Sequence, residues 1–92
     1  MTTASDSGKL TPLLHWVFQK GALHVTCSID MVGEGSAFDV RVYPHWNPSA
    51  STVERFLDAS AAFEHHAELA LILRMAGWAV ADHAPRHELA AA

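Results

Sequence analysis

Seven histidines stand in a chain of 92 residues. Neutral imidazole is the commonest side-chain metal ligand and titrates near neutral pH, so each of His15, His24, His45, His65, His66, His83 and His87 could act as ligand, acid or base. Spacing decides between these uses. Helical histidines share an ion when they stand three or four residues apart. His65 and His66 are adjacent, about 100° apart around a helix, and diverge. His83 and His87 have a four-residue interval, but Pro85 between them disfavours a regular helix. His15 and His24 remain. In the strand register derived below they become diagonal neighbours on one sheet face, which makes a pair rather than a ligand set. No metal and no other cofactor is expected.

Covalent catalysis has equally little to work with. The chain has no G-x-S-x-G, no Gly-rich phosphate loop between a strand and a helix, and no Cys pair for zinc. A nucleophilic Cys needs access and an electropositive setting, whereas the single Cys27 falls on the apolar side of its strand. Glu64 with Glu68, and Arg55 with Asp58, have the spacing of solvated pairs on a helix face. No catalytic residue is assigned, and the chain reads as non-enzymatic. What remains is binding. His15, His24, Arg41 and Tyr43 are the candidate ligand-binding residues, gathered with Thr26 and Ser28 on one face of a sheet, and Tyr and Arg are favoured in binding surfaces.

The elements that would position these residues follow from apolar periodicity. Leu14, Trp16 and Phe18 alternate in a first strand, Leu23, Val25, Cys27, Ile29 and Met31 in a second, and Phe38, Val40 and Val42 in a third. Directly paired residues share a face, so each hairpin loop must hold an even number of residues. A Lys20-Gly21 loop pairs Phe18 with Leu23 and Trp16 with Val25; either Gly33-Glu34 or Gly33 through Ser36 serves the second hairpin. His15 then lies opposite Thr26, and His24 opposite Val17. Pro44 to Ala50, with two prolines, is a connection.

From Ser51 to Trp78 there is neither Pro nor Gly until Gly77, and this stretch reads as one long helix. Ser51 and Glu54 match a capping box, and Gly77 suits the left-handed residue that closes a helix. Val53, Phe56, Leu57, Ser60, Phe63, Ala67, Ala70 and Leu71 make a stripe expected to lie on the sheet. Ala62, Leu69, Ile72, Leu73 and Ala76 form a second apolar patch that one sheet cannot also cover. They are the candidate oligomer interface, and the partner expected is a second copy of the chain, a homodimer.

The fold expected is α+β: a three-stranded antiparallel meander packed on one long C-terminal helix, β-β-β-α, with a short extra strand after the helix at Ala79 to His83. Residues 1–9 read as a flexible arm, 10–84 as the single domain and 85–92 as a flexible tail. That leaves roughly 70 residues for a core, a size at which oligomerisation often helps. Six scattered Lys and Arg and a net charge of −4 give no basic patch for nucleic acid. The opening M-T-T-A-S-D-S-G-K lacks a signal pattern and no apolar run approaches a bilayer span, so a cytoplasmic protein without membrane contact is expected. The function expected is self-association in a non-enzymatic role. The alternative is a small-ligand or metal-binding module on the outer sheet face.

Overall fold

Glycine turns set the sheet. The computed structural model describes residues 9–84. Strand β1 (Leu10–Lys20) reverses into β2 (Leu23–Val32) through Gly21-Ala22. Gly21 has φ 61°, the left-handed value that a type II′ hairpin turn requires at its first central position. The turn lies one residue later than the sequence implied. Phe18 therefore pairs with Val25 and Trp16 with Cys27, a slide of two residues along β2. A slide of two preserves parity, so His15, Trp16, Val17 and Phe18 keep their expected faces; the register shifts between Pro12 and Leu14, and Leu13 packs against the core with Leu14. The slide does separate two candidates. His15 lies opposite Ser28 and His24 opposite Gln19, so the two are not diagonal neighbours.

β2 turns into β3 (Ala37–Pro44) through the four residues from Gly33 to Ser36, with Val32 opposite Ala37. The Lys9 carbonyl accepts a 2.8 Å bond from the Gly33 amide, which ties the start of β1 to this turn. Two more strands complete the sheet, β4 (Thr52–Phe56) and β5 (Ala79–Ala84). The order is β4-β3-β2-β1-β5, antiparallel throughout, with β2 in the centre. Among the described residues the protein is α+β with one long helix after the meander, but the sheet has five strands, not three. β5 is the extra strand expected after the helix, whereas β4 occupies residues expected to be helical.

The helix α1 (Ala59–Met75) starts later because its cap is Asp58, not Ser51. The Asp58 carboxylate accepts a 3.1 Å bond from the Ala61 amide. Ser51 follows a 3-10 turn at Pro48–Ala50 with extended dihedrals, and its hydroxyl caps nothing. Between them Thr52, Val53 and Phe56 are strand-favouring residues, and β4 joins the edge of β3, with Phe56 opposite Phe38. The helix ends as the sequence implied. Gly77 has φ 100°, its amide donates to Arg74 O at 3.0 Å, and the Trp78 amide reaches Leu73 O at 3.0 Å. Lys20 Nζ adds a 2.7 Å bond to the Ala76 carbonyl, placing a cation at the negative end of the helix.

The face that α1 turns to the sheet differs from the one expected: of the expected stripe Ala70 is buried and Phe56, in β4, packs on the core, but the other core-facing residues of α1 come from outside it. Ala62, His66 and Ala70 are buried, and Leu69 and Leu73 pack into the core with Phe18, Cys27, Ile29 and Val40. Phe63 and Leu71, from the expected core stripe, are 43% and 58% exposed. Val53, Phe56 and Leu57 had set the phase of that stripe, and none of them is in the helix. Without them α1 is apolar nearly all round. Alanines on the inner side let its backbone approach a sheet that supplies the bulk. Ala62, Leu69 and Leu73 therefore form intramolecular contacts, while Ile72 and Ala76 stay exposed. The expected arm and tail, apart from Lys9, lie outside the described residues.

Candidate functional site

The outer face of the sheet, turned away from α1, carries the polar half of each strand's alternation. From β2 it receives His24, Thr26, Ser28 and Asp30, from β3 Asp39, Arg41 and Tyr43, and from β1 His15 and Val17. Direct pairing sets them in rows: His15, Ser28 and Arg41 make one, and Val17, Thr26 and Tyr43 the next. His45 continues the line of β3, its amide donating to His24 O at 3.0 Å.

These rows surround a cavity of about 460 Å³, within the range of small-molecule sites. Its polar lining comes from His15, Thr26, Ser28, Asp30, Arg41, Tyr43 and His45, and its apolar lining from Pro12, Leu14 and Val17. Of the four candidates, His15, Arg41 and Tyr43 are brought together here. His24 does not line the cavity; its ring stacks on His45 at 5.8 Å between centroids, at the rim. A second hollow of about 540 Å³ beside the Gly33 turn is lined by Lys9, Thr11, Met31 and Glu34, with no aromatic ring.

His45 is the residue that sequence reasoning missed, since Pro44 marked it as part of a connection. It is well anchored. Its Nε2 lies 2.7 Å from the Thr26 hydroxyl and its ring 5.2 Å from that of Tyr43. A hydroxyl at this distance from an imidazole is also the spacing of a nucleophile and its base. The buried Thr26 is poorly accessible, however, and no group among the described residues orients the other nitrogen of His45. Asp30 is the second omission; parity alone placed it on this face.

The charges on the face form two opposed pairs. Asp30 and Asp39 are direct cross-strand partners, a repulsive arrangement by itself. Arg55 from β4 donates to both oxygens of Asp39, and its hydrogen bonds hold that carboxyl below the usual carboxylate range despite burial, with the Arg41 charge adding to the effect. Arg41 Nε lies 3.9 Å from Asp30 Oδ2.

On the inner face Cys27 is fully buried, and burial pushes its thiol up to about 11, so it carries no thiolate at neutral pH. Among the described residues no three His, Cys, Asp or Glu side chains gather closely enough to hold a metal ion, and no helix is long and apolar enough to cross a membrane.

The chain matches no protein-family model, no curated protein and no solved structure.

Proposed function

We propose that the protein is a binding module that seats a small molecule on the outer face of its sheet. One observation carries this reading: His15, Arg41 and Tyr43, drawn from two strands, line a single cavity together with Thr26 and His45. A merely solvated sheet face needs no such convergence. The cavity mixes a few polar groups with apolar walls, the composition that orients small ligands. The backbone of β1, β2 and β3 holds each group in place, so little ordering is lost on binding. A thermal-shift screen of small polar fragments tests the reading. A fragment at ten times its Kd adds about 1.4 kcal/mol and raises Tm by roughly 6–11 °C for a domain of this size. The shift should disappear in Tyr43→Ala. A screen in which no fragment moves Tm would contradict the proposal.

A second reading is self-association, moved to the other side of the helix. Phe63, Ala67, Leu71 and Met75 recur at four-residue steps along the outward face of α1. Phe63, Leu71 and Met75 are 43%, 58% and 79% exposed, and Ile72 beside them is 62% exposed. A row of this kind on a small domain favours contact with another apolar surface, and a second copy offers the same row to itself.

A further inference from the structure

The register that parts His15 from His24 gives His24 a different neighbour. Pro44 faces Val25 at the end of the β2–β3 ladder, and one step further His24 stands opposite His45. The His45 amide donates to the His24 carbonyl at 3.0 Å, so the backbone holds the two residues directly across from each other. Both side chains belong to the outer face, where directly opposed Cβ atoms are about 4.5–5.5 Å apart. Their rings lie 5.8 Å apart between centroids, with planes 30° from parallel. Two imidazoles that share one zinc ion, each nitrogen about 2.0 Å from it, have ring centres about 5–6 Å apart. The pair has the spacing of a chelate without any backbone movement.

The nitrogens are available as well. His45 Nε2 lies 2.7 Å from the Thr26 hydroxyl. With Nε2–H donating to Thr26 Oγ1, the lone pair of the ring is on Nδ1. A hydrogen bond at one imidazole nitrogen fixes the tautomer in this way and presents the other nitrogen to a metal. Thr26 is buried, so it anchors that ring firmly. The His24 ring makes no hydrogen bond among the described residues, and both of its nitrogens are open. His24 is half-buried and His45 exposed, so an ion can arrive from solvent. We propose that His24 and His45 bind one divalent zinc ion, through His45 Nδ1 and a ring nitrogen of His24. No third His, Cys, Asp or Glu joins them among the described residues, so water takes the remaining tetrahedral positions. Such a site is open and exchangeable, unlike the closed four-ligand sites that hold folds together. His45 also lines the cavity, which places the ion at its rim.

The test adds zinc chloride alone to the full-length ¹⁵N-labelled chain at about pH 7.5, where imidazole is largely neutral. Correlation spectra of the imidazole rings report each histidine separately. The rings of His24 and His45 should shift together and saturate, with His45 Nε2 still protonated and Nδ1 coordinated, and EDTA should reverse the change. His24→Gln and His45→Gln should each weaken zinc binding at the remaining ring at least about tenfold, because one imidazole alone lacks the chelate. The titration of the unaltered protein gives the answer even if a variant does not fold. Zinc that moves only other histidines would overturn the proposal. So would zinc that binds His45 equally well in His24→Gln, or no shift of either ring up to about 1 mM zinc. Zinc binding here is independent of the cavity's occupant, so a failed fragment screen leaves it standing, and its own failure leaves the binding module standing.

Discussion

Arg55 donates two parallel hydrogen bonds to Asp39, from Nε to Oδ1 at 2.8 Å and from Nη2 to Oδ2 at 3.1 Å. The pair links edge strand β4 to β3 on the outer face. Asp39 is buried while Arg55 is largely exposed, so the interaction secures a carboxylate that has lost most of its water.

Replacing Arg55 with Met should therefore destabilise the fold, and the loss should depend on pH. The folded-state pKa of Asp39 lies below its ordinary value of 3.8. The stability linked to that shift is present above 3.8 and is lost as pH falls through the lower folded value. Urea unfolding of the parent and Arg55→Met should show a gap at neutral pH that narrows in acid. A gap independent of pH would mean that the guanidinium acts only by packing.

The orientation of α1 predicts a pair of unequal losses. Phe18 is 0% exposed at the centre of the core, so Phe18→Ala should cost about 3–5 kcal/mol. Phe63, on the outward side, is 43% exposed, and Phe63→Ala should cost less than about 1 kcal/mol. Denaturant midpoints in the opposite order would show that the helix is turned the other way.

The sequence revealed the strands more readily than the helix for a physical reason. Beyond the irregularity between Pro12 and Leu14, the strands β1 to β3 alternate and Gly marks the turns, so parity assigned those faces correctly even though the first turn was misplaced by one residue. That assignment placed His15, Arg41 and Tyr43 on one face. It could not bring in His45, because a Pro precedes it and no alternation extends that far. Thr52 to Phe56 was ambiguous. Val53 and Phe56 fit a strand by type and a helix by spacing, and Ser51 and Asp58 are both good caps. The choice of cap shifted the phase of the whole helix, and with it the face assigned to the core.

His66 should make stability pH-dependent in a different window. It is 2% exposed, its Nε2–H donates to Cys27 O at 3.1 Å, and the rings of His66 and Trp16 meet edge to face at 5.4 Å. Burial holds its pKa below the ordinary 6.5; the hydrogen bond to Cys27 opposes that shift and the nearby His65 adds to it. The unfolded chain therefore takes up the proton first. The stability linked to this shift is complete above 6.5 and declines as pH falls from there to the folded value. Unfolding at about pH 7.5 and about pH 5 should show a smaller loss for His66→Gln than for the parent. Equal losses would assign the acid sensitivity to other groups.

If the outward row of α1 mediates self-association, light scattering of the parent at high concentration should give at least a dimer. Leu71→Glu combined with Met75→Glu should then give a folded monomer, because both residues are solvent-facing in the single chain. A parent that stays monomeric would remove this reading and leave the sheet-face proposal untouched.

The central claim is that the outer sheet face is the working surface. Its most direct test is a ¹⁵N–¹H correlation spectrum recorded with the fragment that raises Tm most. The account predicts shifts at His15, Thr26, Ser28, Arg41, Tyr43 and His45, with the amides from Phe63 to Met75 unmoved. Shifts confined to that helix, or none at any concentration that raises Tm, would contradict it.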